Sequence, residues 1–237
     1  MKAGAAVERI RKSVATIGLA STLHDLALKT ANRVVVLKIL KGMTAERVDP
    51  AYVTCPEPYR PMFLDEKRLR ELGRDPANGL PESFLNEALS EGDECFGFLA
   101  GEALAAYGWY SRRPTPIDPP DLVLDPGDRY VYMYKGFTHP AHRGKRLHAI
   151  GMTLALQHYQ RRGYRGLISY VESNNFSSLN SVKRMGYEIF GSVCALRVFG
   201  IHLTHAGAGW KQHGARIEPA ERGPVTRAGA FAGAARR

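Results

Sequence analysis

Apolar side chains recur at Val7, Ile10, Val14 and Ile17, in steps of three, four and three, with Arg9, Arg11 and Lys12 between them. That spacing predicts an amphipathic helix. At Arg33–Leu40 (RVVVLKIL) the pattern changes to dense β-branched residues and predicts a first strand. Pro50, Pro56, Pro58 and Pro61 predict a loop over 50–61. After it, Phe63–Leu72 (FLDEKRLREL) reads as a helix closed by Gly73, and Ser83–Leu89 as a second, shorter one. CFGFLA and ALAAYGWY flank Gly101 and Glu102, the pattern of a two-stranded hairpin. Five prolines between 114 and 126 predict a long loop of the kind that borders binding sites.

The second half is more regular. Tyr130–Thr138 predicts a strand, Pro140–Gly144 a turn, and Leu147, Ile150 and Leu154 a helix that stops at Gly163. A short strand follows at Gly166–Val171 and ends at Glu172; Asn175 caps a helix through Leu179, Val182 and Met185, closed by Gly186. Tyr187–Leu203 supplies one or two last strands. From Ala206 the chain is rich in Gly, Ala and Arg without apolar periodicity, which predicts little regular structure. The order implies an α/β fold: a mixed, mostly antiparallel central sheet of six to seven strands flanked by helices. Three segments are expected: a basic helical leader over 1–32, one domain over 33–205, and a basic tail over 206–237.

Composition changes this picture in one respect. The 237 residues are 44% hydrophobic and carry a formal charge of +10, which by itself suggests a polyanionic partner. Residues 1–42 hold eight Lys/Arg against two Asp/Glu, and residues 208–237 hold six against two. The middle is left with equal numbers of each sign, so no basic face with interleaved aromatics is on offer to nucleic acid. The basic ends would instead attract an acidic partner protein or an anionic membrane surface. Three cysteines, Cys55, Cys95 and Cys194, give neither a paired framework nor zinc spacing and are expected reduced and buried. No run approaches the roughly 18 apolar residues of a membrane span, so a cytoplasmic protein, peripheral to the membrane at most, is the expectation.

Ligands of such sheets collect at the carboxyl ends of strands. There, between Thr138 and Leu147, the chain reads His-Pro-Ala-His-Arg-Gly-Lys-Arg, a cationic turn running into a helix start. Open N–H groups and the dipole end make that a phosphate site. Downstream, Asn175 is followed by Ser178, Leu179, Arg184, Gly186 and Tyr187. Together the two segments resemble the GNAT acetyltransferase superfamily, whose loop reads Q/R-x-x-G-x-G/A and whose later helix reads N-x-x-A-x-x-x-Y-x-K-x-G-F.

The resemblance implies acetyl-CoA or another acyl-CoA as co-substrate, no metal, and a small-molecule acyl acceptor. It implies that backbone at Phe137 and Thr138 holds the pantetheine arm, that Arg143, Gly144, Lys145, Arg146 and Leu147 hold the pyrophosphate, and that Asn175 and Ser178 contact the arm from the other side. Three departures from the pattern matter: the loop glycines fall on Arg146 and His148, and the tyrosine that often protonates the thiolate falls on Val182. Two side chains are candidates for the chemistry. Glu172 ends a strand at the cleft and suits a general base, and Tyr134 shares one strand face with Tyr130 and Tyr132. His139, His142 and His148 lack the carboxylate or cysteine companion that a metal site needs. An acyl carrier protein-dependent transferase, a non-catalytic acyl-CoA-binding module and a homodimer remain compatible with these residues.

Overall fold

The computed structural model describes residues 2–117, 121–199 and 201–220. Its helices are α1 (Lys2–Ile17), α2 (Leu19–Ala31), α3 (Glu66–Gly73), α4 (Glu82–Ser90), α5 (Leu147–Arg161), α6 (Phe176–Arg184) and α7 (Ala208–Gln212). Its strands are β1 (Val36–Ala45), β2 (Tyr59–Leu64), β3 (Glu94–Ala100), β4 (Ala103–Ser111), β5 (Thr115–Ile117), β6 (Leu122–Asp125), β7 (Tyr130–Thr138), β8 (Gly166–Glu172), β9 (Glu188–Val198), β10 (Ile201–Ala206) and β11 (Arg216–Pro219). The main sheet has eight strands in the order β10-β9-β1-β8-β7-β4-β3-β2, one more than the upper expectation, and β11-β6-β5 form a second, small sheet. Only β7 and β8 are parallel among the paired strands.

Two apolar layers sandwich the main sheet. On one face Leu69, Leu72, Phe84 and Leu85 of α3 and α4 meet Trp109, Tyr130, Tyr132 and Tyr134, and the small sheet adds Ile117, Leu124 and Ile217. On the other, Ile150, Met152, Leu156 and Tyr159 of α5 and Val182 of α6 cover Met43, Val131, Met133 and Leu167. Tyr130, Tyr132 and Tyr134 thus do share a face, as period two requires.

Several expectations are corrected. The expected first strand is shifted, running 36–45, and it lies inside the sheet between β8 and β9. Residues 59–64 form an edge strand on β3, so the expected loop over 50–61 ends early and the helix begins at Glu66, where the Asp65 carboxylate caps Arg68 N–H at 2.8 Å. An edge strand tolerates Pro61 because one side of it has no ladder to break. The proline-rich stretch 114–126 forms β5 and β6 around three residues that lie outside the described ones. Of the segment after Ala206, expected to be disordered at least in part, Ala208–Gln212 form α7 and Arg216–Pro219 form β11; residues 221–237 lie outside the described residues. Its anchor is Trp210, whose indole lies on Gly42 of β1: a Cβ there would stand 2.4 Å from Trp210 Cζ2. With it Ala215 and Ile217 are buried, and three scattered apolar positions give periodicity little to register. Of the cysteines, all three are free, Cys95 is buried, Cys55 is half-buried and Cys194 is exposed.

Candidate functional site

β7 and β8 pair only over Tyr130–Tyr132 against Gly166–Ile168. Past that point β7 stays bonded to β4 as far as Thr138, and β8 to β1 as far as Glu172. The strands part, and backbone groups that a continued ladder would have taken face a fork instead. Ser169 Oγ donates to Met133 O at 2.8 Å across its base. Phe137 and Thr138 lie on one arm and Glu172 ends the other.

A β-bulge shapes the first arm. The register between β4 and β7 shifts between Trp109, opposite Lys135, and Tyr110, opposite Met133, which leaves Tyr134 as the extra residue. The sequence suggests Gly136 as the irregular position; Gly136 instead pairs with Gly108 in the ladder. Its missing side chain makes room for His148, since a Cβ at 136 would lie 2.6 Å from His148 Cε1. Burial against β7 pushes the His148 imidazole pKa down, so the ring is held neutral there.

At the tip of β7 the His139 N–H donates to Ala105 O at 2.9 Å, and Tyr59 Oη hydrogen-bonds His142 Nδ1 at 3.1 Å, so the turn is pinned to β4 and β2. Gly144 follows at φ 77° and Arg146 at φ 59°, ψ 15°. Left-handed backbone costs an L residue roughly 1–2 kcal/mol and costs glycine, the residue of the GNAT pattern at 146, next to nothing. The first bond into α5 runs from Ile150 N–H to Arg146 O at 3.0 Å. The N–H groups of Leu147, His148 and Ala149 therefore leave the helix end without an intrahelical acceptor. Arg143, Lys145 and Arg146 are exposed around them, and the first turn of α5 holds no acidic residue. Cations at the positive end of a helix repel it, and a bound anion would relieve both terms.

Family comparison agrees with this geometry. A family model described as the Acetyltransferase (GNAT) family matches residues 57–187, which is more than half of the chain. The chain belongs to the GNAT acetyltransferase family. Among solved structures it is similar to an acetyltransferase of the GNAT family from Colwellia psychrerythraea (15% identity, 71% of this chain and 56% of that one, TM-score 0.43). It is also similar to a tandem GNAT protein of the clavulanic acid biosynthesis pathway (16%, 77% and 58%, TM-score 0.48) and to the aminoglycoside N-acetyltransferase AAC(6')-Iy in complex with CoA (14%, 55% and 88%, TM-score 0.44). The chain spans between 56% and 65% of the first three solved structures it matches. Comparison with curated protein sequences gives no match.

Within this GNAT fold the expected site residues fall in two groups. Phe137, Thr138 and Arg143–Leu147 line the first arm and its turn. Asn175 and Ser178 sit together at the start of α6, where Asn175 Oδ1 accepts from Ser178 N–H at 3.2 Å and caps the helix. Val182, at the tyrosine position, is buried in the α5–α6 layer.

Glu172 and Tyr134 point to different places. Both Glu172 carboxylate oxygens accept from Lys38 Nζ of β1 at 2.9 Å. Glu172 lines a cavity of about 310 Å³ together with Leu28 and Lys29 of α2, Asn32 just after it, and Val36–Ile39. Tyr134 is buried, and its hydroxyl donates to Asp93 Oδ2 at 2.8 Å, toward the start of β3. The aromatic ring nearer Glu172 on that face is Tyr170, two residues before it, 6.3 Å from Tyr132. Period two could have found Tyr170. Lys38 could not be found without knowing that β1 pairs with β8.

Lys135 follows Tyr134 on β7, opposite Trp109. The bulge turns it to the same face as Tyr134, where it is buried with Nζ donating to Gly79 O at 2.9 Å and lying 3.8 Å from the centre of the Phe84 ring. Burial pulls its pKa down to about 8. The unfolded chain then binds more protons than the folded one between about 8 and the ordinary lysine value of about 10.4, so stability rises with pH across that window. We expect Lys135→Met to be most favourable relative to the parent below pH 8 and to lose roughly 3 kcal/mol of that relative standing by pH 10.5. Urea unfolding of both proteins across pH measures it, and a constant difference would mean that the ammonium is solvated.

Proposed function

We propose that this GNAT protein transfers an acyl group, by default acetyl, from acyl-CoA to an amine or hydroxyl of a small molecule or cell-surface precursor, in the cytoplasm. The observation that carries the reading is the fork between β7 and β8 joined to a cationic, open-ended helix start at Arg143–Leu147. The pantetheine arm lies along Phe137 and Thr138 as an added strand, and the pyrophosphate takes the N–H groups of the loop. Asn175 and Ser178 border the arm from the other side.

In the transfer, the acceptor nitrogen or oxygen attacks the thioester carbonyl. Its C–N or C–O bond forms as the C–S bond breaks, with β7 backbone N–H groups stabilising the oxyanion. Glu172 accepts the acceptor's proton. With Val182 at the tyrosine position, the departing thiolate takes its proton from another donor or from water. Neither Tyr134 nor Asp93 is assigned a proton-transfer role, because their hydrogen bond faces the start of β3.

Calorimetry with CoA, followed by thiol release across a panel of amines and amino sugars, tests the reading. No CoA binding at millimolar ligand overturns it; binding without turnover on any acceptor leaves a non-catalytic acyl-CoA-binding module. Arg143→Ala is expected to weaken CoA by about 1–3 kcal/mol, the scale of a charge-assisted hydrogen bond. Unchanged affinity would assign the phosphate contacts to backbone alone.

A further inference from the structure

The hairpin of α1 and α2 is fastened on one side and bare on the other. Toward the sheet, Leu28 is buried, His24 Nε2 and Ser173 Oγ hydrogen-bond at 3.0 Å, and Asn174 Nδ2 donates to Asp25 Oδ1 at 3.2 Å. Those bonds tie α2 to the loop that follows Glu172. On the opposite side Leu19, Leu23 and Leu26, at i, i+4 and i+7, stand 61%, 56% and 44% exposed. This is one line along the helix. Val7 and Ile10 of α1 and Val34 just after α2 are exposed as well. A bare aliphatic stripe of this extent is a docking surface or a liability.

The charges around it select the occupant. From Val7 to Val34 the chain carries Arg9, Arg11, Lys12, Lys29 and Arg33 against Glu8 and Asp25, and Asp25 already bonds Lys29 at 2.6 Å. Interleaved aliphatic and cationic side chains on short helices match the interface of an anionic bilayer, where stems and leucines enter the acyl boundary and charges meet headgroups. A second copy fits less well. A two-fold interface sets the same patch on itself, cation against cation. No helix among the described residues is long and apolar enough to cross a membrane, so the hairpin would lie on the surface.

We infer that α1–α2 seats the protein on an anionic lipid surface through Leu19, Leu23 and Leu26 and the surrounding Lys/Arg. The cavity holding Glu172 has α2 as one wall, so seating places that cavity beside the lipid headgroups. The inference stands independently of acyl transfer.

The test is co-sedimentation of the full chain with vesicles of phosphatidylcholine alone and of phosphatidylcholine mixed with phosphatidylglycerol, at low and high salt. Binding to the mixed vesicles that falls with salt is expected, with little on phosphatidylcholine. The triple variant Leu19→Ser, Leu23→Ser and Leu26→Ser should bind at least about tenfold more weakly. Arg11→Gln with Lys12→Gln should cost roughly fivefold per charge removed. Three results each overturn the inference: no binding to the mixed vesicles, undiminished binding of the triple variant, or a dimer in light scattering that the triple variant dissolves. If the triple variant loses helicity, the single Leu23→Ser and the parent's salt dependence decide in its place.

Discussion

Glu172→Gln is expected to lower kcat by about 10²- to 10⁴-fold, the range lost with a positioned general base, while CoA affinity stays at the parent value. The side chain ends the arm of the fork opposite Phe137 and Thr138, and glutamine keeps its shape while removing the carboxylate. A purely structural part for Glu172 makes a different prediction. Its bond to Lys38 is partly exposed, with side chains 22% and 38% accessible for Lys38 and Glu172, and exposed pairs are worth at most about 1 kcal/mol. A structural role would therefore show as a small loss of stability with turnover intact. That outcome would remove Glu172 from the chemistry and leave it as the partner of Lys38.

Trp210→Ala is expected to destabilise the fold by roughly 3–5 kcal/mol, the cost of emptying a large core site. The indole is 1% exposed, packs edge-on to Phe190 at 5.0 Å, and fills the space that Gly42 leaves open on β1. Its Nε1 has no hydrogen-bond partner among the described residues, which offsets part of the gain from burial and favours the lower end of that range. Urea unfolding followed by far-UV circular dichroism measures it. A loss under about 1 kcal/mol would mean that the indole does not anchor the segment after Ala206.

Local signals were readable where they are written in neighbouring residues. Asn175 three residues before Ser178 is a cap in the sequence and a cap in the structure. Gly101 and Glu102 between two apolar runs give the β3–β4 hairpin. The cationic turn at Arg143–Arg146 was found because its residues are contiguous. Arg146, at a position where the GNAT pattern has glycine, has a positive φ. What stayed hidden depends on distant pairing. RVVVLKIL looks like any buried strand, and nothing in it says that its neighbours are β8 and β9. For the same reason Lys38 did not attach itself to Glu172, and Tyr134, correctly placed on its face, gave no sign that Asp93 would take its hydroxyl. Prolines misled in the other direction: Pro61 and Pro116 sit in short strands at sheet edges, where a missing N–H costs little.

The inner position of β1 also bears on how the chain acquires its structure. Lys38 and Glu172 are 134 residues apart, and the other neighbour of β1, the strand β9, is made later still. During synthesis this apolar strand leaves the ribosome before either neighbour and waits with both edges open until β8 and β9 have been made. Pairing across such separations is slow, and an open apolar strand is prone to join another chain in the meantime. Among the described residues the α1–α2 hairpin is made before β1, so a helical shelter for that strand lies just upstream of it.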